Sequence, residues 1–249
     1  MKLIVDNLAT EYSDEGKGPM ILMLHGWMDT HHTFDRLAAV LGLDYRIIRL
    51  DMPGFGQTEV PKEVWTVGDY VTFVAHFLDK LGIKPDVVLG HSFGGRVTIK
   101  GVSTGAFKPS KVILVGSAGI SKRTTLRNIL VTTLTKIFGL VTFIPPLLFY
   151  RDKIRKKLYK TIGSDYLESG VLRDTYLKTI SEDLAEAART ILLPTQLIWG
   201  ENDTETPLAD GRKFSSLING SSLSVIAGAG HMVHQEKAEE VARVIKDFV

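Results

Sequence analysis

Cysteine is absent from all 249 residues. That excludes disulfides, thiolate metal sites and a thiol nucleophile, and it fits a reducing compartment. Long apolar runs are missing too. The most apolar stretch, Ile137 to Tyr150, falls short of the ~20 residues of a bilayer-spanning helix and is broken by Pro145-Pro146. The opening Met1-Lys2-Leu3-Ile4-Val5-Asp6 reaches an acid too soon for a secretory signal. The expectation is a soluble, cytoplasmic chain. No dinucleotide fingerprint, phosphate loop or metal-ligand cluster is present, so no cofactor and no metal are expected. Net charge is only +2. It is unevenly spread: between Ile120 and Lys160 ten Lys or Arg face the single acid Asp152, a local charge of +9 that leaves −7 on the rest. Such asymmetry marks a separate structural unit. No nucleic-acid recognition motif accompanies the basic residues, so a nucleic-acid partner is not expected.

What is present is organised around Val87-Val88-Leu89-Gly90-His91-Ser92-Phe93-Gly94-Gly95. A short apolar run enters a Gly-x-Ser-x-Gly turn, and Arg96 to Lys100 can continue as a helix. A serine forced into a tight strand-to-helix turn needs neighbours without a Cβ two positions before and after. Gly90 and Gly94 supply them. The turn lifts the Ser92 hydroxyl off the backbone at a helix start, where positive potential favours an oxyanion.

Apolar runs of strand length occur at Leu3–Val5, Leu8–Tyr12, Met20–Leu24, Tyr45–Leu50, Val87–Gly90, Lys111–Val115, Thr195–Trp199 and Leu223–Ile226. Asp14 to Pro19 has the composition of a turn. Helical spacing covers Thr33–Leu41, Val67–Leu81 (ended by Gly82) and Lys237–Phe248. Strands alternating with helices predict a mostly parallel eight-stranded sheet with helices on both faces. From Gly119 to about Thr190 the alternation stops and only helical stretches remain: Thr124–Leu140, Pro145–Ile162 and Gly170–Ala188. The predicted division is a core of residues 1–118 and 191–249 and a helical cap of residues 119–190.

Five stretches carry a resemblance: His25-Gly26-Trp27, Asp51-Met52-Pro53-Gly54-Phe55-Gly56, Gly90 to Gly95, Trp199-Gly200-Glu201-Asn202-Asp203 and Gly228-Ala229-Gly230-His231. In this order, each at the end of a predicted strand, they resemble the α/β-hydrolase superfamily with a helical cap over the whole chain. The resemblance implies a serine nucleophile at Ser92, a base at His231 and an acid at Asp203, in the order Ser, Asp, His expected of the fold. It assigns the oxyanion hole to the backbone N–H groups of Trp27 and Phe93. Among the other histidines, His76 falls in a helix, His31 and His32 read as solvated, His91 occupies the variable elbow position, and His25 resembles a brace beside the oxyanion hole. His234 lies close to His231 but does not match the motif. Glu201 and Glu205 read as solvated loop charge. Asp51 is a support for the site floor and an outside candidate for the acid.

Serine rather than aspartate at the nucleophile position sets the chain apart from the dehalogenases and epoxide hydrolases of this fold and implies an acyl-enzyme. The apolar cap, with Phe138, Phe143 and Leu147, together with Met232 beside the base, is the expected substrate pocket. The reading is a carboxylesterase for short- to medium-chain apolar esters, with a small-molecule ester and water as its partners. A carbon–carbon (meta-cleavage product) hydrolase acting on a carboxylate-bearing substrate is the alternative, with basic residues such as Arg96 as candidate holders of that carboxylate, although a surface position suits Arg96 better. Lactonase, thioesterase and perhydrolase activities follow, then a ligand-binding receptor of the same fold. Arg151 to Lys160 reads as a solvated helix face, a weak contact with an anionic membrane surface, or a cation for an acidic substrate.

Overall fold

The computed structural model describes residues 1–120 and 169–249. The predicted helices Thr124–Leu140 and Pro145–Ile162, the basic segment, and Phe138, Phe143 and Leu147 lie outside the described residues.

The eight strands are β1 (Lys2–Val5), β2 (Leu8–Glu15), β3 (Met20–Leu24), β4 (Arg46–Leu50), β5 (Val87–His91), β6 (Lys111–Val115), β7 (Thr195–Gly200) and β8 (Ser222–Ile226). They form one sheet in the order β1-β2-β4-β3-β5-β6-β7-β8. Only the pairings of β2 with β1 and β4 are antiparallel; from β4 through β3 and onward every pair is parallel. Strands covered on both faces read as continuous apolar runs, and all five residues of β3 are buried. The pleat divides them. Ile21 and Met23 join a core with Leu37 and Leu41 of α1 (Asp35–Leu41) and with Val241 and Ile245 of α8 (Ala238–Phe248). Leu22 and Leu24 face the other way, onto Tyr70, Phe73 and Phe77 of α2 (Val67–Leu81). A third core sets Val112, Leu114, Leu197 and Trp199 against Ile99 of α3 (Phe93–Ser103).

Between Ser169 and Pro194 lie a 3-10 turn (Gly170–Leu172), α4 (Arg173–Ser181) and α5 (Ala185–Arg189). Beyond β7 come α6 (Leu208–Leu217) and the short α7 (Val233–Glu236).

α2 has the boundaries its spacing predicts. Thr66 and Asp69 form a reciprocal capping box at its start, and Gly82 takes a left-handed conformation at its end. Three local expectations are corrected. Asp14 and Glu15 are not in a turn but at the end of β2, because β4 brings arginines to them: Arg46 binds both carboxylate oxygens of Asp14, at 2.9 and 2.6 Å, and Arg49 pairs with Glu15. The predicted helix start at Thr33 is a 3-10 turn, His31–Phe34, before α1. The predicted Gly170–Ala188 helix breaks at Glu182–Leu184. There Arg96 takes the carbonyl of Glu182 at 2.7 Å and Leu184 N–H donates to Gly119 at 2.9 Å. Arg96 is accordingly buried rather than on the surface.

Candidate active site

Every sequence-predicted catalytic residue in the described part sits where a parallel strand ends. Ser92 follows β5 with φ 51° and ψ −111°, a region that L-residues avoid, directly before α3. Its main chain holds that conformation through three bonds: N–H to Val115 (3.1 Å), and its carbonyl accepting from Gly95 (3.0 Å) and Ala118 (3.1 Å). The two flanking glycines are sterically required. A Cβ on Gly94 would collide with the carbonyl of Leu24 on β3, and one on Gly90 with the carbonyl of Gly94 and the hydroxyl of Thr98.

Asp203 lies three residues past β7, in a loop stitched to the end of β8: Glu201 N–H donates to Ile226 and Asn202 N–H to Ala229, at 3.0 and 2.9 Å. The buried indole of Trp199 holds the far side of that loop, donating to the Thr206 carbonyl at 2.8 Å. Asp203 Oδ1 accepts the N–H groups of Glu205 and Thr206, both at 2.9 Å. Its Oδ2 accepts Nδ1–H of His231 at 2.9 Å and lies 2.8 Å from the Thr206 hydroxyl. Burial alone would raise the Asp203 carboxyl, but the bonds from His231 and Thr206 outweigh it and hold its pKa below the ordinary value. The carboxylate therefore stays ionised and fixes the His231 tautomer with the proton on Nδ1.

Ser92 and His231 share a frame. His91, directly before the serine, donates its Nε2–H to the His231 carbonyl at 3.1 Å, with the two rings 4.8 Å apart. Val115, which accepts from Ser92, precedes Gly116, where a Cβ would stand 3.2 Å from Asp203 Oδ2 and 3.4 Å from His231 Nδ1. Gly26 is on the opposite side, where a Cβ would stand 3.4 Å from that of Ser92. Trp27 follows it, its ring edge-on to Phe93 at 5.1 Å and to Phe55 at 4.9 Å, its indole donating to Ser169 at 3.1 Å. The chain segments bearing the N–H groups of Trp27 and Phe93 thus flank the serine. Met232 is half-buried next to the base and leads into α7.

His25 braces the loop as expected: Nδ1 donates to Gly26 at 2.7 Å and Nε2 accepts from Met52 at 2.9 Å. Asp51 does not contact the base. Its carboxylate takes the N–H and Nδ1 of His31, both at 2.7 Å, and Gln57 N–H at 2.9 Å, and its pKa is lowered to about 2. His31 is consequently buried, not solvated. His32 is exposed, and His76 pairs with Asp6 on the surface of α2. Glu201 accepts Gly228 N–H at 3.0 Å and so ties down the base loop.

Sequence reasoning missed two features. Thr206 bridges the acid, the Gly116 carbonyl at 2.9 Å and His231 Nδ1 at 3.2 Å; its place three residues after the acid was the only signal. The second is a histidine cluster behind the serine, where the His234 ring lies tilted against His91 at 4.3 Å and both rings are fully enclosed. Burial, then the charge of neighbouring histidines, keeps both neutral: His234 is lowered to about 3 and His91 far below its ordinary value. Among the described residues no group of three or more His, Asp or Glu side chains is placed to hold a metal, and no helix is long and apolar enough to cross a membrane.

The comparisons with known proteins agree with this architecture. Similar proteins include the uncharacterized hydrolase YugF of Bacillus subtilis (strain 168), 27% identical over 96% of this chain and 92% of its own length. Another is 2-hydroxy-6-oxo-6-(2'-aminophenyl)hexa-2,4-dienoic acid hydrolase of Metapseudomonas resinovorans, 26% identical over 97% of this chain and 88% of that protein. Among solved structures, an esterase from Exiguobacterium antarcticum superposes with a TM-score of 0.76 over 99% of this chain and 98% of that one, at 20% identity, a likeness of fold. A family model described as the alpha/beta hydrolase family matches residues 21–244, and the chain is a member of that family of hydrolases.

Proposed function

We propose that the protein is a serine carboxylesterase, with Ser92 as nucleophile, His231 as general base and acid, and Asp203 as the acid that orients it. The observation that carries the reading is the conjunction at one sheet edge of a serine held at φ 51° before a helix and a histidine whose Nδ1 is bound to an ionised, buried carboxylate. In the first half-reaction Ser92 Oγ attacks the ester carbonyl carbon while His231 Nε2 takes its proton. The oxyanion is received by the N–H groups of Phe93 and Trp27. Collapse expels the alcohol, protonated by His231, and leaves an acyl-serine. Water, deprotonated by the same nitrogen, then releases the acid. Residues 119–190 serve as the cap over this edge, with Phe138, Phe143, Leu147 and Met232 as the acyl pocket.

Relatives of comparable identity include a hydrolase of a dienoic acid, and hydrolysis of a carbon–carbon bond in a carboxylate-bearing substrate is the second reading. Of the basic residues named for that substrate's carboxylate, Arg96 is engaged elsewhere. This cation, four residues past the nucleophile, spends its N–H groups on the carbonyls of Glu182 and Ile180, at 2.7 and 3.5 Å, rather than facing a substrate carboxylate. The deciding experiment is hydrolysis of a p-nitrophenyl ester series of rising acyl length, with Ser92→Ala and a dienoate substrate in parallel. Turnover of esters that falls at least a thousandfold in Ser92→Ala is expected. Ester turnover that survives in Ser92→Ala, or Ser92-dependent turnover of the dienoate alone, refutes the assignment.

A further inference from the structure

Glu205 stands two residues past the acid. Its side chain is 68% exposed, yet Oε2 lies 3.6 Å from Nε2 of His231. Asp203 holds the other ring nitrogen, Nδ1, at 2.9 Å. The approach is built into the loop. The Glu205 main chain is pinned by its own N–H on Asp203 Oδ1 at 2.9 Å, and the next residue is held by the same oxygen and by the Trp199 indole on its carbonyl. The glutamate stem therefore starts from a fixed point beside the base.

In acyl transfer the departing alcohol oxygen receives its proton from Nε2, so whatever is attached to that oxygen passes beside the Glu205 carboxylate. We infer that Glu205 is a specificity-determining residue, selecting neutral and cationic alcohol leaving groups and disfavouring those that carry a carboxylate. The inference rests on the acyl-enzyme reading and extends it to the leaving-group side of the substrate. Glu205 is not the orienting acid, since Asp203 holds Nδ1. Its action is through charge, and a solvated charge acts modestly and is weakened by salt.

The test uses the intact protein and three acetate esters that share one acyl group: 4-nitrophenyl acetate (neutral leaving group), 4-acetoxybenzoate (anionic) and 3-acetoxy-N,N,N-trimethylanilinium (cationic). Taking kcat/KM of each charged ester relative to the neutral one, and comparing variant with wild type, cancels their different intrinsic reactivities. Glu205→Gln is expected to raise the anionic-to-neutral ratio about fivefold and lower the cationic-to-neutral ratio by a similar factor, with Glu205→Lys moving both further. Both changes should shrink as salt is raised from about 0.01 M to about 1 M. Ratios that stay within about twofold of wild type in both variants, with turnover still Ser92-dependent, overturn the inference alone. Absence of Ser92-dependent turnover of all three esters overturns the acyl-enzyme reading and the inference with it.

Discussion

Acid should unfold this protein through the histidines behind Ser92 before its carboxylates titrate, and His234 gives the cleanest measurement. Its ring is enclosed against Phe34 and His91, with Nε2 2.9 Å from the Thr33 hydroxyl. Burial, then the charge of His231, lowers its pKa from 6.5 to about 3. A histidine depressed in the folded state stabilises the fold fully above its unfolded pKa. That contribution drains away as pH falls towards the folded value, because only the unfolded chain takes up the proton. Between pH 7 and pH 5 the loss from this one ring is about 2 kcal/mol. The window isolates histidine: Asp51, moved from 3.8 to about 2, contributes almost nothing until the pH falls below 4. Urea unfolding at pH 5, 6 and 7, followed by fluorescence of the three tryptophans, should show His234→Phe losing about 2 kcal/mol less than wild type across this range. In thermal melts the difference is about 4–8 °C. Whatever the substitution itself costs is common to every pH and cancels. Equal losses in wild type and variant would refute the picture of a histidine kept neutral by its enclosure.

Two further outcomes follow from the site. Ser92→Gly should abolish ester turnover while raising stability by about 1 kcal/mol, since glycine adopts φ 51° without the strain serine bears there; paired activity assays and urea melts check it, and a less stable variant would show the turn to be unstrained. Thr206→Val strips the hydroxyl from Asp203 Oδ2 and Gly116 and should lower kcat about tenfold with KM little changed. A rise in KM at unchanged kcat would place Thr206 on the substrate side instead.

The sheet was legible because its physics is local. A strand buried on both faces must be apolar throughout, as Met20–Leu24 and Lys111–Val115 nearly are, and Gly90 and Gly94 announce a turn that nothing with a Cβ can make. What stayed hidden depends on partners distant in the chain. Asp14 and Glu15 carry a turn's composition, and only the arrival of Arg46 and Arg49 from β4 makes them strand residues. His31 reads as solvated until Asp51, twenty residues later, is seen to take its ring. The break in the Gly170–Ala188 helix was equally invisible, because helical spacing near Glu182 says nothing of an arginine on α3 that claims its carbonyl. Glu205 belongs to the same class: a loop acid is solvated by default, and only the turn around Asp203 determines that its carboxylate comes back over the base.

These hidden pairings have a common consequence for the site. The elbow strain at Ser92 persists only if its surroundings over-determine it, and each element that does so also holds a residue of the proposed site. Val115 accepts from Ser92 and leads into Gly116, whose carbonyl lies 2.9 Å from the Thr206 hydroxyl beside Asp203. His91, in the elbow itself, holds the His231 carbonyl, while Gly94 lets α3 press against the carbonyl of Leu24, two residues before Gly26. Loosening any one of these should relax the serine and, together with it, displace Asp203, His231 or the Gly26–Trp27 loop. Substitutions in this frame should therefore cost activity out of proportion to stability, whereas equal-volume changes in the α1–α8 core, such as Leu37→Met, should cost stability at little expense to kcat.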